Sequence, residues 1–239
     1  MQSNVAQLPL SHRIWAWFET NKKPTLIGVG IAIVAGLLIW FVSYKHEEKQ
    51  IAAGNALSDV SARQVGSGPG RTDSAAAFLS IASSYPNSSA GARALLLAAG
   101  TLFTDGKFPE AQAQFERFTR EYHDSPYMGE ALLGIASSLD AQGKTDAAAA
   151  AYKDLIDHHP TELVVPQAKF ALARLYDQQG KPELARDMYQ DVERAMPFTS
   201  LGNEAGMRLE ELTAKYPKLA PASPAPTPVT NAPFKLEKK

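Results

Sequence analysis

The 239-residue sequence contains no cysteine. That excludes thiol nucleophiles, Cys-ligated metals and structural disulfides, and it excludes a lipidated cysteine as a membrane anchor. The absence is compatible with an oxidising compartment without establishing one. An excess of charge is missing too: 24 Lys and Arg stand against 25 Asp and Glu, a formal net charge of −1. That balance offers no case for nucleic acid as a partner. Catalytic signatures are equally scarce. The stretch Gly66-Ser67-Gly68-Pro69-Gly70-Arg71-Thr72 has neither the spacing nor the Lys of a phosphate-binding loop, and it reads as a connection. Histidine gathers only at His158-His159, beside Asp154 and Asp157. Asp154 and His158 share a helix face, but two ligands do not make a metal site, and a His at a helix C-terminus is explained by the partial charge there. His123-Asp124 reads as a turn. No nucleophile or acid–base pair stands out, so the expectation is a non-enzyme with no metal and no cofactor.

What is present begins with an uncharged run of twenty residues, Thr25 to Tyr44. At about 1.5 Å per residue a helix of that length crosses the hydrocarbon core once. Ahead of it, residues 1–24 carry Ile14, Trp15, Trp17 and Phe18 beside Arg13, Lys22 and Lys23, a composition suited to a headgroup layer. A cleaved signal peptide fits less well, because the run and the head are long and Ser43-Tyr44-Lys45-His46 is a poor cleavage site. Arg13, Lys22 and Lys23 before the span against Lys45 and Lys49 after it give a bias of one residue towards a cytoplasmic N-terminus. Gly28, Ala32 and Gly36 form a small-residue stripe compatible with a homodimer of spans, although glycine is common in membrane helices anyway.

Beyond the run the sequence repeats. Gly106-Lys107, Gly143-Lys144 and Gly180-Lys181 recur every 37 residues. Ala111, Ala148 and Ala185 follow at a fixed offset, and then Phe115, Tyr152 and Tyr189, with Phe78 one step earlier. A second ladder reads Ala94, Ala131, Ala168 and Ala205, and a third Pro86, His123, Pro160 and Pro197. A period of this size marks a stack of supersecondary units. Each Gly permits the left-handed turn that ends a helix, and Pro109 and Pro182 suit the first turn of the next. The spacing predicts antiparallel helices over 45–65, into which the helix of 25–44 runs straight, 73–84, 89–104, 108–122, 126–142, 145–158, 162–179, 182–195 and 199–215, the last a polar cap. Residues 217–239 are Pro/Ala-rich and read as an extended disordered tail.

Gly, Ala five residues on, an aromatic four further, then Pro resembles the tetratricopeptide repeat (TPR). The longer period and Tyr85-Pro86-Asn87-Ser88 are similar to TPR proteins of the bacterial cell envelope, including division-coordinator and outer-membrane-assembly proteins. Trp17-Phe18, Asn21 and Trp40 around one span resemble a second family, the ancillary subunit of the Sec translocon. The resemblance implies an all-α TPR-like solenoid of about four units on a single transmembrane helix. It also implies an inner-membrane location with the repeats in the periplasm, and a scaffold for translocation, chaperone or division proteins. The expected organisation is 1–24, an interfacial head; 25–44, the span in the lipid bilayer; 45–216, the repeats; and 217–239, the tail.

In that family the first helix of each pair lines the concave face. Carried onto this sequence, the implied partner-binding residues are Arg93, Leu96 and Phe103; Glu130, Leu133 and Asp140; Gln167, Phe170, Arg174 and Asp177; and Glu204 and Met207. Leu96, Leu133, Phe170 and Met207 keep the 37-residue step. Core packing is the simpler reading of that ladder, because 95–99 is apolar all round; a groove for a helix or extended peptide is the other. A self-associating structural protein without a client groove is the alternative function.

Overall fold

The computed structural model describes residues 17, 21–65 and 73–219. Most of the head, the Gly-rich connection 66–72 and the tail from residue 220 lie outside them. The described residues are helical throughout, with no strand. The order is α1 (Lys22–Val65), α2 (Asp73–Ser84), α3 (Ser89–Thr104), α4 (Phe108–Glu121), α5 (Met128–Ala141), α6 (Thr145–His158), α7 (Val165–Gln178), α8 (Pro182–Ala195) and α9 (Ser200–Lys215). Each helix from α2 onwards packs chiefly on its neighbours in sequence, and α1 packs on α2 and α3. The result is the expected solenoid of helix pairs.

The Gly-Lys ladder builds three matching turns. Gly106, Gly143 and Gly180 have φ of 77°, 72° and 69°. After each, the Lys N–H reaches back to a carbonyl five residues earlier: Lys107 to Leu102 at 2.9 Å, Lys144 to Leu139 at 3.0 Å and Lys181 to Tyr176 at 2.8 Å. This is the Schellman closure, which satisfies the last carbonyls of a helix and needs a residue free to adopt positive φ.

The Pro ladder builds corners of two kinds. In the first and last, a hydroxyl caps the next helix. Ser88 Oγ accepts from the Gly91 N–H at 2.8 Å and Thr199 Oγ1 from Gly202 at 3.1 Å. A Cβ on either Gly would stand 2.3 Å from the Tyr85 carbonyl oxygen or 2.1 Å from that of Met196. The two middle corners use consecutive turns instead: Ser125 N–H to Tyr122 and Met128 to Ser125, then Glu162 to His159 and Val165 to Glu162. The extra turn starts α5 and α7 at 128 and 165, later than the 126 and 162 expected.

The small and aromatic ladders meet in the core. Ala94, Ala131, Ala168, Ala205, Ala111, Ala148 and Ala185 are fully buried, and Phe78, Tyr152 and Tyr189 are 1–2% exposed. Alanine lets the helix axes approach and the aromatic fills the space one turn on. At the C-terminal end, Pro217–Leu219 forms a 3-10 turn that buries Leu219 beside Leu212 and Val192. The tail expected from Pro217 therefore has its first three residues folded, with Leu219 packed in the core cluster of α8 and α9.

The separate transmembrane helix is not supported. Among the described residues no helix is long and apolar enough to cross a membrane. Residues 25–44 lie in the first half of the 44-residue α1, which continues unbroken, as expected, through Lys45, Glu47, Glu48 and Lys49. The two halves differ in burial. Ile27, Ile31, Ile33, Leu37, Leu38 and Ile39 are 58–68% exposed, whereas Ala53 and Leu57 are buried against the repeats.

Candidate functional site

The odd-numbered helices α3, α5, α7 and α9 carry all twelve residues expected to bind a partner. The second contacts between α3 and α5 and between α7 and α9 bring these helices edge to edge. The structure gathers Phe103, Asp140, Phe170 and Arg174 into one open cleft of about 540 Å³, together with Ser137 and Tyr152. The Phe103 ring meets Phe108 edge-on at 5.2 Å between centroids, and the Phe170 ring is edge-on to Tyr189 at 5.6 Å.

Arg174 forms an ion pair with Asp140 from α7 to α5, at the rim of the cleft. One step along, Lys215 of α9 pairs with Asp177 of α7 at 3.2 Å. Asp140 and Asp177 hold the same place in the 37-residue period, so the rim repeats an acidic residue bridged by a cation from the next helix. The equivalent of Asp140 one step earlier is Phe103, where no ion pair can form.

Tyr152 reaches the floor of the cleft from α6. Its hydroxyl lies 3.1 Å from Ser137 Oγ. Burial raises the phenol pKa above its ordinary value, partly offset by the hydrogen bond from Ser137. Tyr189 is shifted upward for the same leading reason, with Asp177 adding to it. Both are neutral at physiological pH and contribute hydrogen-bonding groups rather than charge.

The apolar ladder is split between two roles. Leu96, Leu133 and Phe170 are half-buried and pack on the edges of three successive core clusters; Met207 is 59% exposed. Arg93, Glu130 and Gln167 are exposed near the helix starts and do not enter the cleft. The Gln167 amide, with its nitrogen turned to the corner, donates to the Leu163 and Val164 carbonyls at 3.2 and 3.1 Å. Glu204 lies 3.9 Å from Arg208 on α9. Sequence reasoning missed Ser137 and Tyr152. Tyr152 sits in the core ladder, and its neutral hydroxyl reaching the groove leaves no periodic signal. The Asp154–His158 pair is exposed at 2.9 Å, and among the described residues no group of three ligating side chains could hold a metal.

Comparison with known proteins agrees with the architecture. The tetratricopeptide repeat-like domain family matches residues 15–151, and the tetratricopeptide repeat family matches 133–198. The chain belongs to the tetratricopeptide repeat-like domain family. No curated protein matches it. Among solved structures, a tetratricopeptide repeat protein from Parabacteroides merdae is similar, with a TM-score of 0.50 and 15% identity, over 73% of this chain and 62% of that one. PcrH from Pseudomonas aeruginosa has a TM-score of 0.46 and 20% identity, over 53% and 94%. The Yersinia enterocolitica type III secretion chaperone SycD, solved with a peptide of the translocator YopD, also has a TM-score of 0.46 and 20% identity, over 54% and 96%. At these identities the likeness is one of fold.

Proposed function

We infer that this protein is a membrane-tethered repeat scaffold whose concave groove holds a segment of another protein. The observation that carries the binding role is the cleft between Phe103 and Phe170. It is an open slot of mixed character, in which Phe103 and Phe170 stand with Ser137, Tyr152 and the Asp140–Arg174 pair. Such a slot suits a helix or extended peptide that places an apolar side chain between the two rings and polar groups against the rim.

Tethering rests on the first half of α1. Ile27, Ile31, Ile33, Val34, Leu37, Leu38 and Ile39 are all exposed, and burying each one stabilises by about 1.5–3 kcal/mol. Soluble helices show an apolar stripe on one face; a helix apolar all round is one that is surrounded. The family match starting at residue 15 runs through this stretch, so it belongs with the repeats. The charge bias across 25–44 favours a cytoplasmic N-terminus and an inner-membrane protein with its repeats in the periplasm. Envelope proteins, among them translocation, chaperone or division components, are then the partners within reach.

The test uses the full chain with Phe103→Ser and Phe170→Ser. Affinity purification from membranes should lose partners that the parent retains, while the helical content and the membrane fraction stay unchanged. Retention of the same partners by the variant would move binding away from the groove. Recovery of only further copies of the chain would favour a self-associating structural protein.

A further inference from the structure

The two kinds of turn lie on opposite edges of the stack. Successive helices reverse direction, so the Gly-Lys turns fall on one edge and the Pro corners on the other. The corner edge is tied to α1. The Ser89 N–H donates to Gln50 Oε1 at 3.1 Å, and Lys49, Gln50, Tyr85, Pro86 and Asn87 line one cleft of about 360 Å³. Gln50 comes six helical residues after Tyr44, an axial distance of about 9 Å. The headgroup layer is about 5–8 Å deep on each side of a bilayer. On a chain held through 25–44, the corner edge stands just over that layer and the Gly-Lys edge points away.

Two corners present apolar side chains that the fold does not use. Phe198 is 97% exposed with φ of 70°, and Leu163, at the preceding corner, is 88% exposed. Asn87 holds the place of Phe198 in the first corner, with φ of 60°. Asn tolerates positive φ, whereas a bulky aromatic there is a backbone outlier. Phe198 therefore works against its own backbone and packs on nothing in the stack. His123, Asp124, His159 and Glu162 on the same edge supply no cationic excess, so attraction to anionic headgroups is not what this edge offers.

We propose that the corner edge rests on the bilayer and that Leu163 and Phe198 insert into its interfacial layer. This gives the repeat domain a second membrane contact and fixes the direction in which the groove faces. The proposal rests on the tethering reading of 25–44. Its driving force is apolar burial at the interface, so lipid charge should matter little.

Because the chain has no cysteine, single labels can be placed cleanly. The full chain is reconstituted in vesicles of phosphatidylethanolamine and phosphatidylglycerol, carrying an environment-sensitive fluorophore on Leu163→Cys, Phe198→Cys, Lys144→Cys or Lys181→Cys. The labels at 163 and 198 should shift to shorter wavelength and lose emission to phospholipids carrying a headgroup-depth quencher; those at 144 and 181 should do neither. Vesicles of neutral phosphatidylcholine should give the same result. Corner labels that behave like the labels at 144 and 181 would overturn the proposal. Flotation with the vesicles and quenching of tryptophan emission report the tether separately. A floating chain with unquenched corner labels refutes the edge contact alone, and a chain that does not float refutes both. To exclude insertion driven by the fluorophore, a label on Thr161→Cys is compared in the parent and in a Leu163→Ser, Phe198→Asn background. Quenching should be lost in that background, and its persistence would contradict insertion by these two residues.

Discussion

Two surfaces of this protein leave apolar side chains uncovered, and their shapes differ. Along 27–44 of α1 the exposure surrounds the helix, with Ile33, Leu37, Ile39 and Phe41 all 54–68% exposed. In the groove the apolar side chains lie on one side, half-buried, and ion pairs edge them. A surface without sidedness can be covered only by a medium. A sided slot with paired charges at its rim can be covered by one segment in one register. On the proposed reading, lipid covers the first and a protein chain the second.

The largest expected effect breaks the first surface. Leu37→Arg with Leu38→Arg puts two charges at the centre of the stretch, at about 2.5–3.5 kcal/mol each, and should release the protein from alkali-washed membranes. An unchanged membrane fraction would mean that 25–44 does not lie in lipid.

Next come changes that separate core from groove. Leu155 is fully buried on α6, so Leu155→Ala should cost about 2–5 kcal/mol and lower the melting temperature of the repeats. Ala148→Leu places bulk where two helices touch and should cost about 1–3 kcal/mol, loosening the neighbouring units with it. Phe170→Ser should lower the melt less than Leu155→Ala while abolishing partner retention. If Phe170→Ser matched Leu155→Ala in the melt, Phe170 would be core and the slot would lose one wall.

A smaller effect is expected at the rim. Arg174 is 53% exposed in its pair with Asp140, and exposed pairs contribute about 0–1 kcal/mol. Arg174→Glu should leave the melt nearly unmoved and alter the association rate and its salt dependence. The smallest concerns pH. Tyr152 and Tyr189 have phenol pKa values raised above 10.0 by burial. The neutral forms favour the folded state, so that stability is fully present below the ordinary phenol pKa and declines as pH rises through it towards the folded values. Thermal melts should therefore be flat through neutrality and fall in alkali, less so in Tyr152→Phe.

What the sequence made legible follows its periodicity. Gly106, Gly143 and Gly180 announce their turns because a Schellman closure needs positive φ, and the Ala and aromatic ladders announce the core because close-packed helices need small residues at fixed intervals. What it concealed is non-periodic. The Arg174–Asp140 bridge spans 34 residues and the Lys215–Asp177 bridge 38, neither being the repeat step, since each cation reaches its carboxylate from a different turn. The Ser88 and Thr199 caps occur only at the first and last corners, and Leu219 is buried beside Leu212 and Val192 at a position outside the ladders. The continuity of α1 was legible: the helix over 25–44 was expected to run straight into the one over 45–65, and the structure shows one helix of 44 residues.

The central claim is that the groove, and not the outer face, meets the partner. A photo-reactive residue placed at Phe103 or Phe170 of the full chain, and in parallel at Ala150 or Asp187 on the exposed faces of α6 and α8, tests it in living cells. Illumination should give a discrete protein adduct from 103 and 170, and none from 150 and 187. Adducts of equal yield from all four positions, or from 150 and 187 alone, would contradict it.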